Sequence, residues 1–168
     1  MYPFKNIIMK KLIIICVLMN SLFINAQELS YNEIQNILSE SVKSIFPARF
    51  NSNADTKDMF QGICNEYPSF CRKLRFQKFT GFRINKASPV YNETETTIEA
   101  YLVTFEFDFL YVKGKNDFYG SATLTSKLNK VLDHYSVAFL KFERTSGRHH
   151  GFKHKDKSSV FLLSEQTK

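Results

Sequence analysis

The chain has 168 residues, of which 43% are hydrophobic and 15% aromatic, and its formal net charge is +7. This length favours a single domain that is long enough to bury a core of its own. The basic and acidic residues are interspersed, which favours solubility and argues against the dense positive block of a nucleic-acid groove.

Residues 1–26 have the pattern of a secretory signal peptide. Lys10 and Lys11 provide the positive region, residues 12–24 form an apolar run, and Ala26 is the small residue at the expected cleavage point. The run is shorter than the roughly 20 apolar residues that a spanning helix needs. We therefore expect cleavage after Ala26 and a periplasmic or secreted mature domain, residues 27–168, with no stable membrane span. An uncleaved membrane anchor is the alternative.

Cleavage would remove Lys5, Lys10 and Lys11 and leave 20 basic and 16 acidic residues, a net charge of +4. It would also leave Cys64 and Cys71 as the two cysteines of the mature chain. An exported protein meets an oxidising environment, and the two cysteines close a short loop. The sequence therefore predicts a structural disulfide, since redox-active pairs usually have the closer Cys-x-x-Cys spacing.

Two helices are predicted first. Ser30 and Glu33 match the capping box, in which each side chain binds a backbone amide that has no partner within the helix. A helical apolar period follows and is expected to end at Pro47. Its positions are Tyr31, Ile34, Ile37, Leu38, Val42, Ile45 and Phe46. Asp55 is expected to cap a second, shorter helix that buries Met59 and ends at Pro68.

From residue 72 onward apolar residues alternate with polar ones, as they do in half-buried strands. The predicted strands are residues 74–84, with a bulge near Gly81, then 97–113, 118–125, 132–144 and a short edge strand at 158–163. Tight turns are predicted at 114–117 and 128–130. In the strand at 97–113, one face carries Tyr101, Val103, Phe105, Phe107, Phe109 and Tyr111. In the strand at 132–144, Tyr135, Val137 and Phe139 are expected to oppose Ala138, Leu140 and Phe142.

Helices that precede a run of strands joined by short turns indicate an α+β fold with an antiparallel sheet. We expect two N-terminal helices packed on a curled sheet of four to five strands, with a core filled largely by phenylalanine. This order of elements resembles cystatin-like proteins and the cone-shaped nuclear-transport-factor family, although no motif is shared. Residues 85–96 are too short and polar for the extra helix that the cone family usually has there. The resemblance concerns the fold and implies no chemistry.

Glu106 and Asp108 are the candidate catalytic residues. They lie two positions apart on one face of a strand, where burial and mutual repulsion could raise one pKa as a general acid requires. Thr104 shares that face, and His134 on a later strand could reach it. The alternative is that this face is the solvated side of a sheet that is covered on its other side.

Three histidines near the C-terminus, His149, His150 and His154, are candidate metal ligands. Imidazole nitrogen can bind zinc, copper or nickel, but the spacing matches no zinc signature and the neighbouring lysines and arginine disfavour a cation. The alternative is a mobile basic loop over residues 146–157 that makes weak, salt-sensitive contacts with anions. No metal or cofactor is therefore predicted.

The functional prediction follows from what the sequence lacks. It contains no glycine-rich phosphate loop, no nucleophile elbow and no zinc-protease motif. Its aromatic stripe alternates as a core does, so no nucleic-acid partner is predicted. We predict an exported, non-catalytic binding module that holds a small apolar ligand or docks with an extracytoplasmic protein, as an inhibitor or immunity-type protein would. The alternative is a small cone-type hydrolase or isomerase that uses Glu106 or Asp108 with His134.

Overall fold

The computed structural model describes residues 28–149 and 152–157, and this part of the chain forms three helices and five strands. The helices are α1 (Tyr31–Asn51), α2 (Asn53–Met59) and α3 (Gln61–Glu66). The strands are β1 (Arg75–Tyr91), β2 (Ile98–Lys113), β3 (Asn116–Val131), β4 (His134–His149) and β5 (Phe152–Lys157).

All five strands form one sheet in the order β1-β2-β3-β4-β5, and each strand is antiparallel to its neighbours. The predicted α+β class and the antiparallel sheet are confirmed. The predicted signal peptide and the predicted strand at residues 158–163 fall outside the described residues.

Helix α1 begins at the predicted capping box. The Ser30 hydroxyl accepts a hydrogen bond from the Glu33 amide at 3.3 Å, and the Glu33 carboxylate accepts one from the Ser30 amide at 2.8 Å. The predicted end at Pro47 is wrong, because the helix continues to Asn51. A proline inside a helix costs about 3 kcal/mol. The additional turn buries Phe50 completely, and that burial offsets a large part of the cost.

The second predicted helix is divided into α2 and α3 at Phe60, whose backbone leaves the helical conformation. Phe60 is fully buried, and its ring packs against Phe50 and Tyr111. The break therefore directs a large side chain into the core. The predicted cap at Asp55 is wrong, because this carboxylate lies inside α2 and pairs with Arg49 at 3.2 Å.

Strand β2 starts one residue later than predicted and alternates as expected. Its inner face, which lies toward α1, carries six buried residues: Tyr101, Val103, Phe105, Phe107, Phe109 and Tyr111. On its outer face, the outward residues from Leu102 to Asp108 are exposed or half-buried, whereas Leu110 is buried. The sheet is thus dry on the side that α1 covers and largely hydrated on the other.

Phe46 is the residue through which α1 contacts the sheet most extensively. The centroid of its ring lies 4.8 Å from that of Phe107 and 4.9 Å from that of Phe109, both in β2. It also lies 5.8 Å from Phe79 of β1 and 5.8 Å from Phe142 of β4. One helical side chain therefore packs against three strands, and aromatic pairs at these distances add to the energy of burial.

Strand β1 places phenylalanine on the inner face with a spacing of three residues rather than two. Phe76, Phe79 and Phe82 pair with Tyr111, Phe109 and Phe107 of β2, respectively. The register with β2 shifts after Phe76 and again after Phe79. Each shift adds one residue to β1 before the next side chain that faces inward. The second shift, between Phe79 and Gly81, confirms the predicted bulge. The strand extends to Tyr91, beyond its predicted end at residue 84.

The turn predicted at residues 128–130 is wrong, because β3 continues to Val131. Leu128 is completely buried, and this burial keeps the segment in the sheet. The chain turns at Leu132 and Asp133 instead, where Leu132 has a positive φ of 54° and is 85% exposed.

Strand β4 departs from the strict alternation that was predicted. The register between β4 and β3 shifts at Ala138. Val137 and Leu140 therefore pair with two successive inward-facing residues of β3. Both side chains therefore pack toward the core, and Phe139 faces outward. Alternation alone could not show this extra residue.

We expect Phe46→Ala to lower the free energy of unfolding by about 3–5 kcal/mol, because it would leave a cavity between α1 and three strands. Tyr31→Ala in the same helix is the control. Tyr31 is 62% exposed, so its loss should change the free energy by less than about 0.5 kcal/mol. Urea unfolding followed by circular dichroism measures both values, and equal effects would contradict this packing.

Candidate functional site

Glu106 and Asp108 lie together on the outer face of the sheet, and both contact Arg83 of β1. The Arg83 Nη1 is 2.6 Å from the Asp108 Oδ2, and its Nη2 contacts the Glu106 Oε1. Asn85 and Ser121 also donate hydrogen bonds to Glu106, at 3.1 Å and 2.9 Å. These five residues form a charged network that crosses β1, β2 and β3.

The pKa of Glu106 is lowered, not raised. Partial burial raises it, but hydrogen bonds from Asn85, Ser121 and Arg83, together with the charge of Arg83, outweigh burial. The pKa of Arg83 is raised, chiefly by its hydrogen bond to Asp108. A general acid needs the opposite shift at a carboxylate. The geometry therefore favours an ion-pair network on a hydrated face, which is the alternative interpretation of these two residues.

His134 does not join this network. It is exposed at the start of β4, where it pairs with Val131 of β3. Glu106 pairs with Thr123 of β3, eight residues before Val131. At about 3.3 Å per residue, His134 and Glu106 are separated by roughly 26 Å along the sheet.

Of the three candidate metal-binding histidines, His150 lies outside the described residues, as do the side chains of His149 and His154. The backbone of His149 pairs with that of Phe152, and the backbone of His154 pairs with that of Gly147. Much of the segment predicted as a basic loop is therefore strand. Within the described residues, no group of three or more His, Cys, Asp or Glu could hold a metal ion.

Cys64 and Cys71 form the predicted disulfide, with their Cα atoms 5.5 Å apart. It joins α3 to the segment that leads into β1. Strand β5 reaches the same helix, because the buried Asp156 carboxylate accepts a hydrogen bond from the Gly62 amide at 2.9 Å. A Cβ atom at position 62 would overlap that carboxylate oxygen, so any other residue there would force the Asp156 side chain to shift.

A cleft of about 600 Å³ lies between the loop closed by the disulfide and the β2–β3 turn. We call it the lysine cleft, and its lining consists of Tyr67, Ser69, Phe70, Lys73, residues 113–116 and Phe118. The rings of Phe70 and Phe118 supply an apolar floor, with centroids 5.5 Å apart. Three of the lining residues are lysines and none is acidic.

Two of the lysines have distinctive environments. The Lys113 ammonium donates a hydrogen bond to the Ser69 carbonyl oxygen and lies 5.2 Å from the centroid of the Phe70 ring. Burial lowers the pKa of Lys113. Lys73 has a left-handed backbone, with φ of 63°, which is uncommon for a residue other than glycine.

The lysine cleft is not predicted from the sequence. Residues 114–117 signal a turn and the cysteine spacing signals a disulfide, but neither pattern shows that the two segments meet. Their contact joins Lys113 to Ser69, which are 44 residues apart. The available signal is the placement of Lys113 and Lys115 on either side of Gly114, and this pattern alone is common in exposed turns.

Comparisons of the chain with protein-family models, with curated proteins and with solved structures found no match. Among the described residues, no helix has the length and apolar character needed to cross a membrane. The geometry of the cleft and of the charged network therefore carries the functional argument.

We expect Arg83→Gln to lower the free energy of unfolding at pH 7 by at most about 1 kcal/mol, because Arg83 is half-exposed and solvent screens its ion pairs. The pKa of Glu106 is lowered in the folded protein. Its stabilising contribution is therefore present above its ordinary pKa of 4.5 and is lost as the pH falls through the lowered value. The difference between Arg83→Gln and wild type should shrink accordingly.

Urea unfolding between pH 7 and pH 2 measures this difference. Lys141→Gln is the control, because Lys141 and Glu143 form an exposed pair at 3.9 Å and should contribute less. A deficit in Arg83→Gln that does not change with pH would contradict the ion-pair network.

Proposed function

We propose that the protein is an extracytoplasmic, non-catalytic binding module that holds a small ligand in the lysine cleft. The observation that carries this proposal is the lining of the cleft, which joins an apolar floor to three lysines and includes no acidic residue. Its volume of about 600 Å³ lies within the range of about 300–1,000 Å³ that is typical of small-molecule sites.

The fixed walls of the cleft support this proposal. The disulfide constrains the loop that carries Ser69 and Phe70, and the turn that carries Lys115 closes two paired strands. Lys113 connects the two walls through its hydrogen bond to Ser69. A preformed site loses less conformational entropy when a ligand binds.

The apolar ligand expected from the aromatic stripe is better placed in this cleft than on the inner face of the sheet. Phe105, Phe107 and Phe109 are completely buried by the chain itself. Phe118 is only partly buried, and it lies at the end of the same aromatic row. A ligand in the cleft would therefore extend the core without displacing α1.

The extracytoplasmic location is also a proposal. It is supported by the signal-peptide pattern and by a disulfide, which persists in oxidising compartments. The curled sheet of a cystatin-like arrangement belongs to the same proposal. The register shifts in β1 and β4 support it, because bulges bend strands.

The other functions predicted from the sequence have less support. Catalysis would need Glu106, Asp108 and His134 to act together, but Arg83 pairs with both carboxylates and His134 lies far along the sheet. An extracytoplasmic protein partner would have to insert a side chain into the lysine cleft to use the same surface.

Titration of the ¹⁵N-labelled mature protein with a library of small aromatic and aliphatic fragments tests the proposed site by NMR. We expect the amide shift changes to cluster at residues 69–73 and 113–118, because the cleft combines exposed apolar surface with fixed walls. Ser69→Trp should fill the cleft and abolish these changes.

Ser44→Trp is the matched control, since Ser44 is exposed on α1 and far from the cleft in sequence. It should leave the shift changes intact, and the spectra show whether each variant keeps its fold. Shift changes that cluster around Arg83, or that persist in Ser69→Trp, would refute the proposed site.

A further inference from the structure

The lysine cleft presents positive charge beside an apolar surface. Lys73, Lys113 and Lys115 line it together with Phe70 and Phe118. Within the described residues, neither Lys73 nor Lys115 forms an ion pair with a carboxylate. The cleft therefore has apolar contacts for the body of a ligand and cationic groups for one of its ends.

We propose that the ligand of the lysine cleft is a small amphiphilic anion, in which a carboxylate, sulfonate or phosphate is attached to an aromatic or aliphatic body. This inference rests on the proposed function, because it names the chemistry of the ligand for the same cleft. The body would lie against the half-buried ring of Phe118, which packs on the buried Phe70, and the anionic group would lie between Lys73 and Lys115.

Lys113 adds to the electrostatic attraction for an anion, and its ammonium group is already held in one position. Its ammonium is fixed against the Ser69 carbonyl oxygen and the Phe70 ring. Partial loss of water there lowers the pKa of Lys113, and the attraction between opposite charges increases as the local dielectric falls. An anion entering the cleft would meet one positioned charge, that of Lys113, and two charges on exposed side chains, those of Lys73 and Lys115.

The backbone of Lys73 offers independent support. A left-handed conformation is unfavourable for a residue with a side chain, whereas glycine adopts it readily. Lysine at this position is therefore less favourable for the fold than glycine would be, yet it is the residue that lines the cleft. Lys73→Gly separates the two roles, because it removes the charge and relieves the backbone.

The test compares two fluorescent probes that share an aromatic body. Anilinonaphthalenesulfonate carries an anionic group, and phenylnaphthylamine is its neutral counterpart. At low salt we expect the mature protein to bind the sulfonate about tenfold more tightly than the amine. Lys73→Gly and Lys115→Gln should each weaken sulfonate binding by up to about fivefold, the range for one exposed charge pair, and leave amine binding unchanged.

Two controls make the result specific. Lys86→Gln removes an exposed lysine of β1 and should not change the affinity for either probe. Lys73→Gly should unfold at the same urea concentration as wild type or a higher one, so its weaker binding would not reflect a damaged fold.

Equal affinity for the two probes, with both lost in Ser69→Trp, would overturn the anionic ligand and leave the cleft as a binding site. An equal loss of sulfonate binding in Lys86→Gln would also overturn it, because the dye would then report surface lysines in general. Failure of both probes to bind would contradict the inference as well, and the fragment titration then decides whether the proposed function fails with it.

Discussion

The ring of Phe46 contacts β1, β2 and β4 at once, and this contact decides how each of these strands places its side chains. Protein cores are packed as closely as organic crystals, so β1, β2 and β4 must each present an aromatic ring to one point beneath α1. The bulges of β1 and β4 satisfy this requirement, because each inserts one residue and returns a large side chain to the inner face. Gly120 of β3 meets the same requirement by leaving room for the ring of Phe109.

The same constraint determines which residues face water. Once Phe105, Phe107 and Phe109 point toward α1, Glu106 and Asp108 must point away, and Arg83 lies on the same outer face. The carboxylates therefore pair with a guanidinium on a hydrated face and are not buried acids. On the inner face the aromatic row continues past Tyr111 to Phe118 and then to Phe70, with ring centroids 5.5 Å apart at each step. Phe118, which is half-buried, therefore connects the floor of the lysine cleft to the core.

The sequence predicts the parts of the fold whose signals are local. The capping box at Ser30, the alternation of β2 and the disulfide each depend on residues close in sequence, and the structure confirms them. The errors occur where a distant contact decides the outcome. Phe50 extends α1 beyond Pro47, and Leu128 keeps β3 in the sheet beyond its predicted turn.

The candidate sites also combine features that local sequence predicts with features that depend on distant contacts. The shared face of Glu106 and Asp108 follows from their spacing, but Arg83 lies more than twenty residues before them and becomes their partner only through strand register. The lysine cleft depends on a contact between segments 44 residues apart, and no pattern within either segment predicts it. Register and loop contacts are therefore what the sequence alone does not supply.

Native-state hydrogen exchange on the disulfide-bonded protein shows whether α1 and the aromatic face of β2 form one core. If they do, the amides around Phe46 and those of residues 103–109 should be the slowest to exchange and should share one opening free energy, equal to that of global unfolding. If the amides of α1 exchange through openings of much lower free energy while β2 stays protected, α1 does not hold the aromatic face and the two do not form one core.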